Sequence, residues 1–160
     1  MSKKISIELI EEGKQANIYS VHYDGEEYDE FKKLLKKLLV DGKTKEIGII
    51  LARLDKVKEL GAADRYFRYE SLKKDRVFAL PSYIDNIDVR IYCLVIDGKI
   101  VILGGGGIKN VQKYQEDPVL NGWVETMKKV DAQIRHLQKT GAIQTKGKEL
   151  KGTLKFSIKE

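Results

Sequence analysis

The stretch Val89-Arg-Ile-Tyr-Cys-Leu-Val-Ile96, Asp97-Gly98, Lys99-Ile-Val-Ile-Leu103 constrains the fold more than any other part of this chain. An Asp-Gly pair between β-branched runs is the composition of a two-residue hairpin turn, because both central residues need positive φ. Both runs are apolar at successive positions. Such strands are central in a sheet and carry helices on at least one side. Arg90 is a lone cation among Val89, Ile91 and Tyr92. A buried guanidinium is costly unless it is paired, so Arg90 either meets a carboxylate such as Asp88 or Glu70, or opens onto a ligand site.

The remaining elements follow from periodicity. Ile5 to Ile10 and Ala16 to His22 alternate around a Gly-containing turn and predict an opening hairpin. Tyr28, Phe31, Leu34, Leu35, Leu38 and Leu39 recur at helical spacing, with lysine pairs largely off the stripe and Asp41-Gly42 as the stop. A second helix is expected from Thr44, as N-cap, to Gly61, on the stripe Ile47, Ile50, Leu51, Leu54 and Val57. Short strands are expected at Tyr66–Tyr69 and Arg76–Leu80. Asp117-Pro118 is an N-cap followed by proline at the first helical position. The stripe Leu120, Trp123, Val124, Met127, Val130, Ile134 and Leu137 then runs to Gly141, and a last strand is possible at Thr153–Ile158. Helices grouped before an antiparallel sheet give the α+β class. The expected layout is an N-terminal hairpin and an antiparallel helix pair packed on a small antiparallel sheet, with a C-terminal helix. Residues 1–141 read as a single domain, and 142–160 as a basic C-terminal extension.

Composition narrows the chemistry. The 160 residues are 42% hydrophobic, enough for a core without disulfides or metals. The single cysteine, Cys93, excludes a disulfide framework and a multi-cysteine zinc site. Mid-strand in an apolar run, it reads as a buried inert thiol. The N-terminus lacks the apolar segment of a signal peptide, and no run approaches a membrane span, so a soluble cytoplasmic protein is expected. The net charge of +6 sits mainly in residues 41–80 (ten bases, seven acids) and 121–160 (nine bases, four acids). The five lysines of Lys146 to Lys159 read as a solvated tail. The run Leu103-Gly-Gly-Gly-Gly-Ile-Lys109 lacks the spacing of a phosphate-binding loop, as does Gly42-Lys43-Thr44. His22 and His136 have no metal-ligand spacing around them.

Asp88-Val-Arg-Ile-Tyr92, followed by Ile108-Lys109, Gln112-Lys113 and Pro118, resembles the RelE/ParE superfamily of bacterial toxins, most closely its HigB-like and phage-derived branch. The helix pair ending Leu60-Gly61 precedes the strands as in that family, and the resemblance covers roughly residues 16 to 137. It implies a RelE-like fold and the toxin of a type II toxin–antitoxin system, a metal-independent endoribonuclease that cuts mRNA at the ribosome. Attack by the 2′-OH on the neighbouring phosphate needs a base, an acid and stabilisation of the charge that develops. In this sequence the resemblance gives Arg90 to the scissile phosphate, Lys109 or Lys113 to phosphate binding or proton donation, and Tyr114 to proton transfer or stacking. Arg68, Lys74 and Arg76 become RNA contacts. The implied partners are an antitoxin carrying a helix-turn-helix domain, the ribosome and mRNA, with no membrane, metal or nucleotide cofactor.

The sequence departs from the family at four positions. Ala79 and Pro81 stand where an acid and an arginine are usual, and Gly105 and Gly107 where a histidine and an aromatic are usual. These departures keep a second reading open: a non-catalytic RNA- or protein-binding module on the same fold, either a degenerate toxin or a ParE-like topoisomerase inhibitor. An unrelated α+β domain is the third.

Overall fold

The computed structural model describes residues 1–69 and 76–159, and shows an α+β protein built on one seven-stranded sheet. The strands are β1 (Ser2–Glu11), β2 (Asn17–Tyr23), β3 (Arg68–Tyr69), β4 (Val77–Leu80), β5 (Val89–Ile96), β6 (Ile100–Ile108), β7 (Ile143–Lys146), β8 (Glu149–Gly152) and β9 (Lys155–Lys159). The helices are α1 (Glu30–Val40), α2 (Thr44–Leu60) and α3 (Pro118–Lys139). The large sheet runs β3-β4-β5-β6-β2-β1-β9, and β7 and β8 form a separate two-stranded ladder.

The central hairpin forms as its sequence dictates. Asp97 and Gly98 both take positive φ, 55° and 66°, and Ile96 pairs with Ile100 across the turn. One face of the sheet, including Tyr92, Leu94, Ile96, Ile100 and Ile102, packs on α3. The other, including Ile91, Cys93, Val101 and Leu103, packs on α1 and α2. Coverage on both sides accounts for strands that are apolar at every position.

The layout corrects the expected one in its strand arrangement. The N-terminal hairpin does not pack on the sheet; it is part of it. β2 lies beside β6, in parallel, with Tyr19 opposite Ile102, so the sheet is mixed. Asn17 to Val21 are buried at successive positions, which is the mark of a central strand. The tail reading fails as well. Ile143, Leu150, Phe156 and Ile158 are buried in the α3-side core, and β9 pairs with β1 from Ser2–Lys159 to Ser6–Lys155.

The caps match their residue types with one exception. Asp29 accepts the Lys32 amide at the start of α1, and Asp117 accepts the Val119 and Leu120 amides ahead of Pro118 in α3. Thr44 is instead the first residue of α2, and Lys43 is the cap, without a side-chain bond.

The glycine run is strand, not loop. Gly104 to Gly107 continue β6, with a bulge opposite Tyr92, where the pairing jumps from Cys93–Leu103 to Ile91–Gly106. Each glycine lies under something. A Cβ would fall 2.5 Å from the Met127 sulfur at Gly104, 2.3 Å from the Trp123 ring at Gly105 and 1.8 Å from the Arg90 carbonyl at Gly106. At Gly107 the nearest atom, from Leu120, is 3.6 Å away. Gly104 and Gly105 therefore let α3 settle onto the sheet backbone, and Gly106 lets the Arg90 carbonyl of β5 come close at the bulge.

Beyond the hairpin, His22 ties the end of β2 to its surroundings. Its Nε2 donates to the Glu26 carbonyl at 2.6 Å, and its Nδ1 lies 2.8 Å from the Glu8 carboxylate. The Glu26 carbonyl first and the Glu8 carboxylate second raise the imidazole above its ordinary 6.5, against a smaller opposing effect of burial.

Two predictions follow from these contacts. Gly106→Ala and Gly105→Ala should each cost about 3 kcal/mol or more in urea denaturation, whereas Gly107→Ala should stay within about 1 kcal/mol of wild type. Equal effects at Gly105 and Gly107 would contradict close seating of α3, whereas Gly106 reads the close approach of the Arg90 backbone on the neighbouring strand. The His22 clasp favours the protonated ring, so its stabilisation is complete below about pH 6.5 and fades as pH rises through the folded-state value. His22→Gln should flatten the decline in stability between about pH 6 and 8, measured by denaturation across that range. An unchanged slope would refute the clasp.

Candidate functional site

Four of the residues singled out by the sequence share one neighbourhood. Arg90, Lys109, Lys113 and Tyr114 lie at the end of the β5–β6 ladder where the chain leaves the sheet for α3. Val89 pairs with Ile108 there, and the Lys109 amide donates to the Asp88 carbonyl at 2.6 Å. Alternation along β5 puts Arg90 on the same face as Tyr92, the face that carries α3.

The geometry of each side chain decides its chemistry. Arg90 is half-buried, and its Nη1 donates to the carbonyls of Ile87 at 2.6 Å and Val89 at 3.0 Å. Its expected carboxylate partner Asp88 is engaged by Lys43 at 2.8 Å, and Glu70 lies outside the described residues. Tyr114 begins a short 3-10 turn, Tyr114–Glu116, and is buried with its ring edge-on to Tyr92, centroids 6.3 Å apart. Lys113 is exposed at the head of that turn, where its amide meets the Glu116 carboxylate, and Lys109 is half-buried.

The outer arginines are fixed by the protein itself. Arg68 is 5% exposed and donates to the carbonyls of Pro81 at 2.7 Å and Ser82 at 3.0 Å. The Tyr83 ring lies over its guanidinium at 4.4 Å. Arg76 donates from Nε and Nη2 to Asp131 on α3, at 3.1 and 2.5 Å, and Arg135 meets the other oxygen of the same carboxylate. Lys74 lies outside the described residues. Burial pushes the Cys93 thiol far above its usual range, which keeps it unreactive at neutral pH.

The structure also gathers residues that the sequence did not single out. Arg53 holds Asp85 by a forked contact at 2.7 to 3.0 Å, and Arg65 lies over the Tyr66 ring at 4.8 Å. Between them is a cavity of about 180 Å³, and beside it Tyr83 and Ile84 stand 70% and 86% exposed. A Tyr-Ile pair in a turn carries no periodic signal, so nothing in the sequence marks it. At the far end of β2, burial raises the Glu30 carboxyl despite Lys33 at 3.0 Å. Burial first, then the Glu30 charge, raises the Tyr23 phenol.

A search of protein-family models, curated proteins and solved structures finds no match to this chain. No group of three or more His, Cys, Asp or Glu side chains able to hold a metal occurs among the described residues. No helix among them is long and apolar enough to cross a membrane.

The Arg76–Asp131–Arg135 cluster binds the start of β4 to α3. Asp131 is 6% exposed on its side chain, so Asp131→Asn leaves two guanidinium groups facing a neutral amide and should cost about 2 kcal/mol in urea denaturation. Arg135→Ala, at an exposed position, should cost less than about 1 kcal/mol. The reverse ranking would show that the pair with Arg76 is idle.

Proposed function

We propose that the chain is a non-catalytic binding module on a RelE/ParE-like frame, and that its partner is a protein. Support for the frame comes from the helix pair on one face of the sheet and from a central hairpin with arginine on its first strand. The position of that arginine, next to the lysine-bearing segment that leads to the last long helix, fits the same frame.

One observation carries the binding reading: α3 occupies the sheet face on which Arg90 stands. Gly105, at the position of the usual histidine, lies under Trp123, and Gly104 lies under Met127. An mRNA strand cut by 2′-OH attack needs open space above the sheet for a nucleotide and its phosphate. Here that space holds a helix. Burial of Tyr114 removes the base or stacking surface, and the pairing of Arg76 with Asp131 engages a phosphate clamp.

A protein suits the exposed features better than RNA does. Tyr83 and Ile84, with Arg53 and Arg65 nearby, have the aromatic, apolar and arginine make-up of protein contact sites. The ribonuclease reading keeps one point in its favour, because Arg90, Lys109 and Lys113 share one end of the sheet.

The experiment that separates the two is expression in cells followed by measurement of growth, translation and mRNA ends. Wild type and Arg90→Ala should behave alike, with no arrest and no new cleavage ends on ribosomes. Translation arrest with cleavage that Arg90→Ala abolishes would overturn the binding reading in favour of the toxin. Salt-dependent binding of mRNA without cleavage would overturn the choice of a protein partner.

A further inference from the structure

The outer edge of the sheet at β9 is built differently from its centre. β9 pairs with β1 on one side, and among the described residues no strand pairs with its other side. Its apolar residues, Phe156 and Ile158, face the α3 core at 7% exposure, while Lys155, Ser157 and Lys159 are exposed. Between this edge and α3 lies a groove of about 430 Å³, lined by Lys129, Ala132 and Gln133 from the helix and by Ile158 and Lys159 from the strand. Among the described residues no carboxylate lines it. Lys129, Lys155 and Lys159 form no ion pair with a described residue, and the paired segments 2–6 and 155–159 hold four lysines and no acid.

We propose that this edge binds an extended acidic segment of a partner protein, which adds a strand alongside β9. Three features point to that occupant. An unpaired strand edge offers backbone donors and acceptors at alternate residues, and an extended peptide satisfies them as a further ladder. The groove beside it, floored by Ala132 and Ile158, takes the apolar side chains that an added strand turns toward the helix. The lysines choose among strands. They repel a second copy of the same edge, which brings the same charges, and they attract glutamate and aspartate. This inference goes beyond the binding reading, because β9 lies at the other end of the strand order from β4 and the Tyr83–Ile84 turn, and it rests on that reading only for the need of a protein ligand. Its test reads no cleavage, so either can fail without the other.

The probe is a short fluorescein-labelled peptide that alternates glutamate and valine, titrated with the full chain at low salt and followed by anisotropy. The acidic peptide should bind, the matching lysine–valine peptide should not, and amide hydrogen exchange should slow along Lys155–Lys159. Methylating the alternate backbone nitrogens that face β9 should weaken it by about tenfold or more, because the ladder bonds are lost, while methylating the other alternate set should leave it bound. Lys129→Glu with Lys159→Glu should weaken it by a similar factor, and so should Ala132→Trp, which fills the groove. Circular dichroism checks that each variant is folded, and the charge-reversal pair retains a test if the tryptophan variant does not fold. Equal binding of the two methylated peptides would overturn the proposal, since charge alone would then account for affinity. So would binding that ignores both sets of variants, displacement of the peptide by a short single-stranded RNA at equal concentration, or self-association through β9 that Lys159→Glu abolishes.

Discussion

The contact of α3 with the backbone of β6 is the constraint on which the architecture depends. Side chains normally separate a helix from the sheet it covers, and at Gly104 and Gly105 that spacer is missing. Met127 and Trp123 then touch the sheet where Cβ atoms would otherwise be. The cost is conformational, because glycine loses more freedom on folding than any other residue. The return is a tight interface that also brings Asp131 within reach of Arg76 and so fastens β4 to the same helix. Met127 and Trp123 of this helix thus lie directly over the central strand at Gly104 and Gly105.

Much of the architecture can be read locally. The Asp97-Gly98 turn, the apolar stripe of α1, and the Asp117-Pro118 start of α3 each need only neighbouring residues, and each is present. What escapes a local reading is pairing at a distance. Nothing in the alternation of β2 says that Tyr19 lies beside Ile102, since a buried strand has the same pattern whichever neighbour it takes. Residues 143–152 hide their apolar positions among polar and charged residues, so Ile143 and Leu150 look like accidents of a solvated tail until the α3 face is in place. The glycine run suggests a loop by composition. Only the bulky residues opposite it, on a helix whose contacts the sequence does not state, show why a strand needs it.

The candidate site divides in the same way. The cost of burying Arg90 was legible, and its Nη1 does find acceptors, yet these include backbone carbonyls of its own strand entry. The basic character of Arg68 and Arg76 was legible too, but their availability was not. One is buried under Tyr83, and the other meets an aspartate on a helix far along the chain. A cation's residue type states what it can bind; only the fold states whether it is already occupied.

The pairing of β1 with β9 has a mechanical side. Ser2 and Lys159 are opposite one another at the same end of an antiparallel ladder. Tension applied through these two positions does not shear the ladder with all its rungs loaded in parallel. It falls on the terminal rung, then on the next, and so opens the pair as a zipper opens. The strand pair at this edge of the sheet is therefore the first to open under such a pull.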